Sequence, residues 1–169
     1  MIERTLVLIK PDGVSRGLIG EVIKRFEQRG LKIVALKLVK AKKELAEKHY
    51  GEDITKRLGE NMRKNLLNFI TEGPVIAMII SGVNAIENVR KIVGPTESKS
   101  ALPGTIRGDF SHVSYGYADK KNIAIRNIIH ASGTVDEAAI EVGLWFKKDE
   151  IHDYKRSGDE HIFWEYFFS

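Results

Sequence analysis

The chain has 169 residues, enough for one domain at about 150 residues per domain and too few for two. Hydrophobic residues make up 43% and charged residues 30%, which excludes global disorder, and the longest apolar run, Val75 to Ile80, falls far short of the roughly 18 residues a membrane span needs. A net charge of +4 mildly favours an anionic partner, no Lys/Arg block argues for nucleic acid as the main one, and zero cysteines exclude disulfides, thiolate zinc sites and a cysteine nucleophile. Met1 leads straight into a strand-like segment, so no signal peptide is expected, and a cytoplasmic setting fits.

Residues 3 to 9 read as a first strand, stopped by the turn Lys10-Pro11-Asp12-Gly13. Apolar residues at 18, 19, 22, 23 and 26 follow the helical period up to Gly30, and Ile33 to Val39 form a second strand. Helical patterns over 43 to 50 and about 61 to 70 form an insertion that Gly73-Pro74 closes. Val75 to Ser81 is a buried strand, Asn84 caps a helix running to Val93, and Ile123 to Ile129 is the last strand. Between them, residues 111 to 121 (SHVSYGYADKK) read as a turn-rich hairpin or loop. The order βαββαβ is the split βαβ, ferredoxin-like arrangement of the α+β class: an antiparallel sheet with helices on one face, here with inserted helices and a C-terminal extension. The aromatic tail, with Trp164, Tyr166, Phe167 and Phe168, is expected to be buried in contacts.

Neither a P-loop nor a dinucleotide-binding glycine pattern occurs. The informative stretch is Asn127-Ile128-Ile129-His130-Ala131-Ser132, which sets a histidine at a strand's end. A free imidazole, with a pKa near 6.5, is about three-quarters neutral at pH 7 and can attack phosphorus without a separate base. Lys10, Arg90 and Arg107 are the cations that a phosphoryl group would need, and stabilising its charge is most of what phosphoryl transfer requires. Arg107 is expected to act on phosphate and to contribute little to the fold.

With those residues in view, the chain resembles the nucleoside diphosphate kinase family. ERTLVLIKPDG (3 to 13), PGTIRGDF (103 to 110), Asn127 to Ser132, the strand after Gly73-Pro74 and Leu144-Trp145-Phe146-Lys147 match it in order, so the resemblance covers nearly the whole chain as one domain over 1 to 169. It implies transfer of the γ-phosphate of a nucleoside triphosphate to a nucleoside diphosphate through a phosphohistidine on His130, with Mg2+ bound chiefly by the phosphates. It further implies that Glu141, 11 residues on, orients the imidazole. Ser132 and Tyr50 support the site, Lys10, Arg90, Thr96 and Arg107 hold phosphates, and Asn127 contacts the ribose. A homo-oligomer, with a hexamer favoured, is also implied. The sequence departs from the family at Gly133, where aspartate is usual, and lacks the expected base-stacking phenylalanine, for which Leu58 and Met62 are the nearest apolar candidates.

Three other readings compete. An inactive homologue serving as a nucleotide-binding or interaction module would not need His130 together with its cations. A ferredoxin-like RNA-binding module needs aromatics on adjacent strands, which residues 6 to 9 and 123 to 129 lack, and His112, His152 and His161 lack metal-ligand spacing.

Overall fold

A computed structural model describes residues 2–162. The tail aromatics Trp164, Tyr166, Phe167 and Phe168 lie outside the described residues. The sheet is built from β1 (Ile2–Ile9), β2 (Lys32–Val39), β3 (Val75–Val83) and β4 (Ile129–Ala131), in the order β2-β3-β1-β4, with every pairing antiparallel. Between the strands come α1 (Pro11–Ser15), α2 (Ile19–Gln28), α3 (Lys43–His49), α4 (Glu52–Leu58), α5 (Glu60–Thr71), α6 (Ala85–Val93), α7 (Ile106–Phe110) and α8 (Tyr115–Lys121), and α9 (Val135–Trp145) follows β4. No helix among the described residues is long and apolar enough to cross a membrane.

Side-chain alternation explains why β1 and β3 read as continuous apolar runs. Val7 and Ile9, with Ile76, Met78 and Ile80, face a first core built with α2 and α6, the two helices of the βαββαβ unit. Leu6 and Leu8, with Val75, Ala77 and Ile79, face a second core. The inserted helices α3 and α5, together with Trp145 and Phe146, cover this second face, so the unit's own helices lie on one side and the additions on the other.

Two local expectations change. The last strand is Ile129–Ala131 and not Ile123 to Ile129, because Ile128 sits at φ +71°, a left-handed conformation that ends the extended backbone. Residues 115 to 121 form the helix α8 and not a hairpin: the Ser114 hydroxyl accepts from the Tyr117 N–H at 3.2 Å, and Asn122 closes the far end in the left-handed region. After α9 the chain returns across β2, where the His152 N–H donates to Val34 O (2.8 Å) and the Tyr154 hydroxyl to Ile33 O (2.9 Å), at the irregularity of the β2–β3 register. Asp159, fully buried, ends this strap in contact with Arg156 (2.8 Å) and Lys32 (3.3 Å).

Candidate active site

His130 lies within β4 directly opposite Leu8, so its ring projects from the face of the second core. The backbone before it is held from both sides. The Ile128 N–H donates to Asp12 Oδ2 (3.0 Å), and the Lys10 N–H donates to Ile128 O (2.7 Å). A side chain at Gly13 would place Cβ 2.7 Å from Ile9 Cγ2 and 3.0 Å from Ile128 Cγ2, so glycine is what lets α1 seat against this segment. The turn after β1 therefore fixes the conformation that presents His130.

On the imidazole, Nε2 stands 3.0 Å from the Glu141 carboxylate, whose Oε2 also accepts from the Ser132 hydroxyl at 2.5 Å. Burial alone would raise the Glu141 carboxyl, but the hydrogen bond and charge of His130, aided by His49 and Ser132, hold it below its ordinary value. An ionised carboxylate at Nε2 fixes that nitrogen as the proton carrier and leaves Nδ1 with its lone pair. Glu141 projects from α9 and Ser132 follows β4, so the spacing of 11 residues from His130 to Glu141 spans one turn and two turns of helix.

A second histidine, which the motifs do not single out, backs this pair. His49, at the end of α3, is buried with its ring edge-on to His130 at 4.7 Å between centroids; the Trp145 indole N–H donates to its Nδ1 (3.4 Å), and the Glu141 carboxylate lies 3.5 Å away. Burial, reinforced by His130, lowers its pKa to about 3, so it stays neutral. Its Nε2 has no hydrogen-bond partner among the described residues. Tyr50, the next residue, packs its ring on His49 (4.7 Å), and burial followed by the Glu141 charge pushes its phenol above the ordinary value. Only the position of His49 beside Tyr50 could have marked it in the sequence.

The imidazole opens into a cleft of about 650 Å3 whose lining includes Lys10, Arg90, Thr96, Arg107 and Asn127. Lys10 is buried and donates from Nζ to Asn127 Oδ1 (2.8 Å), while Asn127 Nδ2 donates to Thr96 O (2.7 Å). The buried Asn127 amide thus spans the lysine and the Thr96 backbone. Burial, with Arg107 nearby, lowers Lys10 to about 7. Arg107 overturns the expectation that it contributes little to the fold: Nε donates to Asn127 O (3.3 Å), Nη1 to Gly94 O (2.9 Å) and Nη2 to Ile129 O (2.6 Å). It stitches three backbone segments together and keeps two N–H groups spare. Burial and Arg90 lower it to about 10. Arg90 is exposed, with Nη1 3.5 Å from Ala131 O. Leu58, half exposed at the end of α4, and Met62 on α5 line the same cleft. Phe69 is buried beneath Lys10 and Arg126 and belongs to the interior.

Gly133 has a structural counterpart that the sequence does not announce. The Gly133 N–H donates to Glu137 Oε2 (2.8 Å), and a Cβ at 133 would fall 2.7 Å from that oxygen and 3.6 Å from Arg90 Nη1. A carboxylate from the first turn of α9 thus occupies the space beside Arg90 that a side chain at 133 would fill. Among the described residues the sole cluster with metal-ligand spacing is His49, His130 and Glu141, whose members are already engaged with one another. Mg2+ prefers oxygen ligands, and a cluster of two imidazoles and one carboxylate does not fit it as a cage.

The family model described as nucleoside diphosphate kinase matches residues 3–151. The chain belongs to the nucleoside diphosphate kinase family. A nucleoside diphosphate kinase of Pyrococcus abyssi is 52% identical over 157 residues, covering 93% of this chain and 92% of that one, and that of Borreliella burgdorferi is 47% identical over 165 residues, covering 96% and 99%. A solved structure of the Borrelia burgdorferi enzyme, a transition state mimic with bound vanadate and ADP, superposes with a TM-score of 0.94 at 46% identity and covers 96% of this chain and 98% of its own. Enzymes of this family act on nucleoside di- and triphosphates.

Proposed function

We propose that this chain moves the γ-phosphate of a nucleoside triphosphate, typically ATP, to a nucleoside diphosphate in two half-reactions through His130. The observation that carries this reading is the imidazole pinned at Nε2 by Glu141, with a free Nδ1 beside a cleft of cations. In the first half-reaction Nδ1 attacks the γ-phosphorus, an N–P bond forms, the bond to the bridging oxygen breaks, and the nucleoside diphosphate leaves with that oxygen's electron pair. A second diphosphate then reverses the step. Glu141, braced by Ser132, stabilises the positive imidazole as it forms. Lys10, Arg90 and Arg107, with the Thr96 hydroxyl, hold the phosphates, Asn127 holds Lys10 while keeping one lone pair and one N–H for the ribose, and Tyr50 backs His49. Mg2+, when bound with the nucleotide, would supply further charge neutralisation.

Incubation with γ-labelled ATP should give a protein that loses its label in acid, keeps it in alkali, and passes it to an unrelated nucleoside diphosphate. A His130→Ala protein that transfers at a comparable rate would end this reading. Chelation by EDTA should abolish transfer. We propose further that the chain works in the cytoplasm as a homo-oligomer, with a hexamer favoured. Exposed Leu36 and Leu38 on the edge strand β2 support association, and light scattering that gives a 19 kDa monomer at micromolar concentration would contradict it.

A further inference from the structure

Helix α8, the element that replaces the expected loop, is a wall of the cleft and not a surface ornament. Tyr115, Ala118 and Asp119 all line the cleft, and their spacing of i, i+3 and i+4 puts them on one face of α8. The same helix is tied across the cleft at its C-terminal end, where Asn122 Oδ1 accepts from Asn61 Nδ2 (2.6 Å) and Asn65 Nδ2 (3.2 Å) of α5. Its N-terminal end is tied by the Tyr115 N–H, which donates to Glu97 Oε1 (2.9 Å). The Tyr115 ring is 45% exposed, and it has no ring-stacking or cation–π partner among the described residues. Leu58 and Met62 also line this cleft and supply aliphatic surface.

We propose that Tyr115 is the aromatic wall of the nucleobase subsite, holding the base between its ring and the aliphatic surface of Leu58 and Met62. The proposal rests on the nucleotide reading above and names the residue that grips the part of the substrate farthest from the chemistry. A purine or pyrimidine offers two π faces. A tyrosine ring serves either, and stacking tolerates every base, so the subsite is broad in base choice while still contributing affinity. The competing use of Tyr115 is through its phenol, which lies near enough to Arg107 to act on its charge and hence on phosphate.

The experiment measures binding of ADP, GDP and CDP, and of inorganic tripolyphosphate, to wild type, Tyr115→Ala, Tyr115→Phe and Tyr117→Ala by calorimetry. Tyr117 sits on the same helix, is exposed and does not line the cleft, so its variant is the control for damage to α8. Expected are a roughly 5- to 30-fold weaker affinity of Tyr115→Ala for all three nucleotides, equivalent to about 1 to 2 kcal/mol. Recovery in Tyr115→Phe, wild-type binding by Tyr117→Ala, and tripolyphosphate affinity within twofold of wild type are also expected. Nucleotide binding by Tyr115→Ala at wild-type strength would overturn the proposal, as would equal losses in Tyr115→Ala and Tyr117→Ala. Failure of Tyr115→Phe to recover, or a parallel loss of tripolyphosphate binding, would assign the residue to phosphate through its hydroxyl and overturn it equally. Label transfer by wild type, run alongside, separates this outcome from failure of the nucleotide reading itself.

Discussion

Two clusters of buried charge flank the sheet, and they are finished to different degrees. At the end of the C-terminal strap, Asp159 has no exposure and meets both Arg156 and Lys32, so the carboxylate carries its countercharge with it. In the cleft, the hydrogen bonds of buried Lys10 and Arg107 go to neutral groups, one amide oxygen for the lysine and three backbone carbonyls for the arginine, and the Asp12 carboxylate acts on both only as a weaker, more distant charge. Among the described residues neither makes an ion pair. The strap cluster is complete and serves stability. The cleft cluster carries no such ion pair, and burial together with the neighbouring cations lowers both groups, Lys10 to about 7 and Arg107 to about 10.

The comparison is broken most directly at Arg107. Arg107→Ala should lower turnover by about 100-fold or more, the scale of losing a donor to a developing charge. It should also lower the melting midpoint by several degrees, because Gly94, Asn127 and Ile129 lose their donor. Kinetics and thermal unfolding of one preparation test both. Asp159→Asn is the opposite case: a melting midpoint lower by roughly 5 to 10 °C with phosphoryl transfer at room temperature unchanged, because the lost charge leaves Arg156 and Lys32 uncompensated far from the cleft. Equal damage to activity would erase the distinction between the two clusters.

Lys10 sharpens the contrast through pH. Its ammonium is lowered to about 7 by burial in the cleft, and phosphates bound beside it should raise it again. Below 7 it is charged with or without ligand. Between there and the ordinary lysine value of 10.5 the bound form holds a proton that the free form lacks, so affinity should fall as pH rises through that window. At about pH 8.5, nucleotide binding should take up about one proton, read from the buffer dependence of the calorimetric heat. The smallest effect is expected at Gly133→Ala, whose methyl displaces the Glu137 carboxylate from the Gly133 N–H and costs roughly 1 kcal/mol. Combined with Glu137→Ala it should cost no more than either change alone, as a double-mutant cycle on thermal stability would show.

Much of this site is legible in the sequence because phosphate chemistry leaves few choices of residue. His130, Ser132 and Asn127 sit within six consecutive residues, and Glu141 follows at a spacing a short helix can bridge. The sheet is legible for a different reason: Leu6 to Ile9 of β1 and Val75 to Ile80 of β3 are buried on both faces and so run without polar interruption. What escaped depended on contacts between distant segments. His49 earns its place only by packing on its neighbour Tyr50 and on His130 and Trp145, which come from two other parts of the chain. Helix α8 was hidden because its Ser114 and Asn122 caps resemble turn residues, and its C-terminal anchor lies on α5. The double duty of Arg107 is invisible without the three carbonyls it meets.

The left-handed residue at 128 sets a parity. Ile128 and Ile129 both enter the first core although they are adjacent, which a continuous extended strand forbids, and the positive φ absorbs the odd step. From there alternation resumes, so His130 must face the opposite side and Ala131 returns to the first core. Length changes upstream, such as the segment carrying α8, leave that count untouched. A single residue gained or lost between Ile128 and His130 inverts it, turning the imidazole into the hydrocarbon interior while the fold around it stays recognisable. This molecule can therefore change length upstream of Ile128 without turning its histidine, but it can never miscount those three positions.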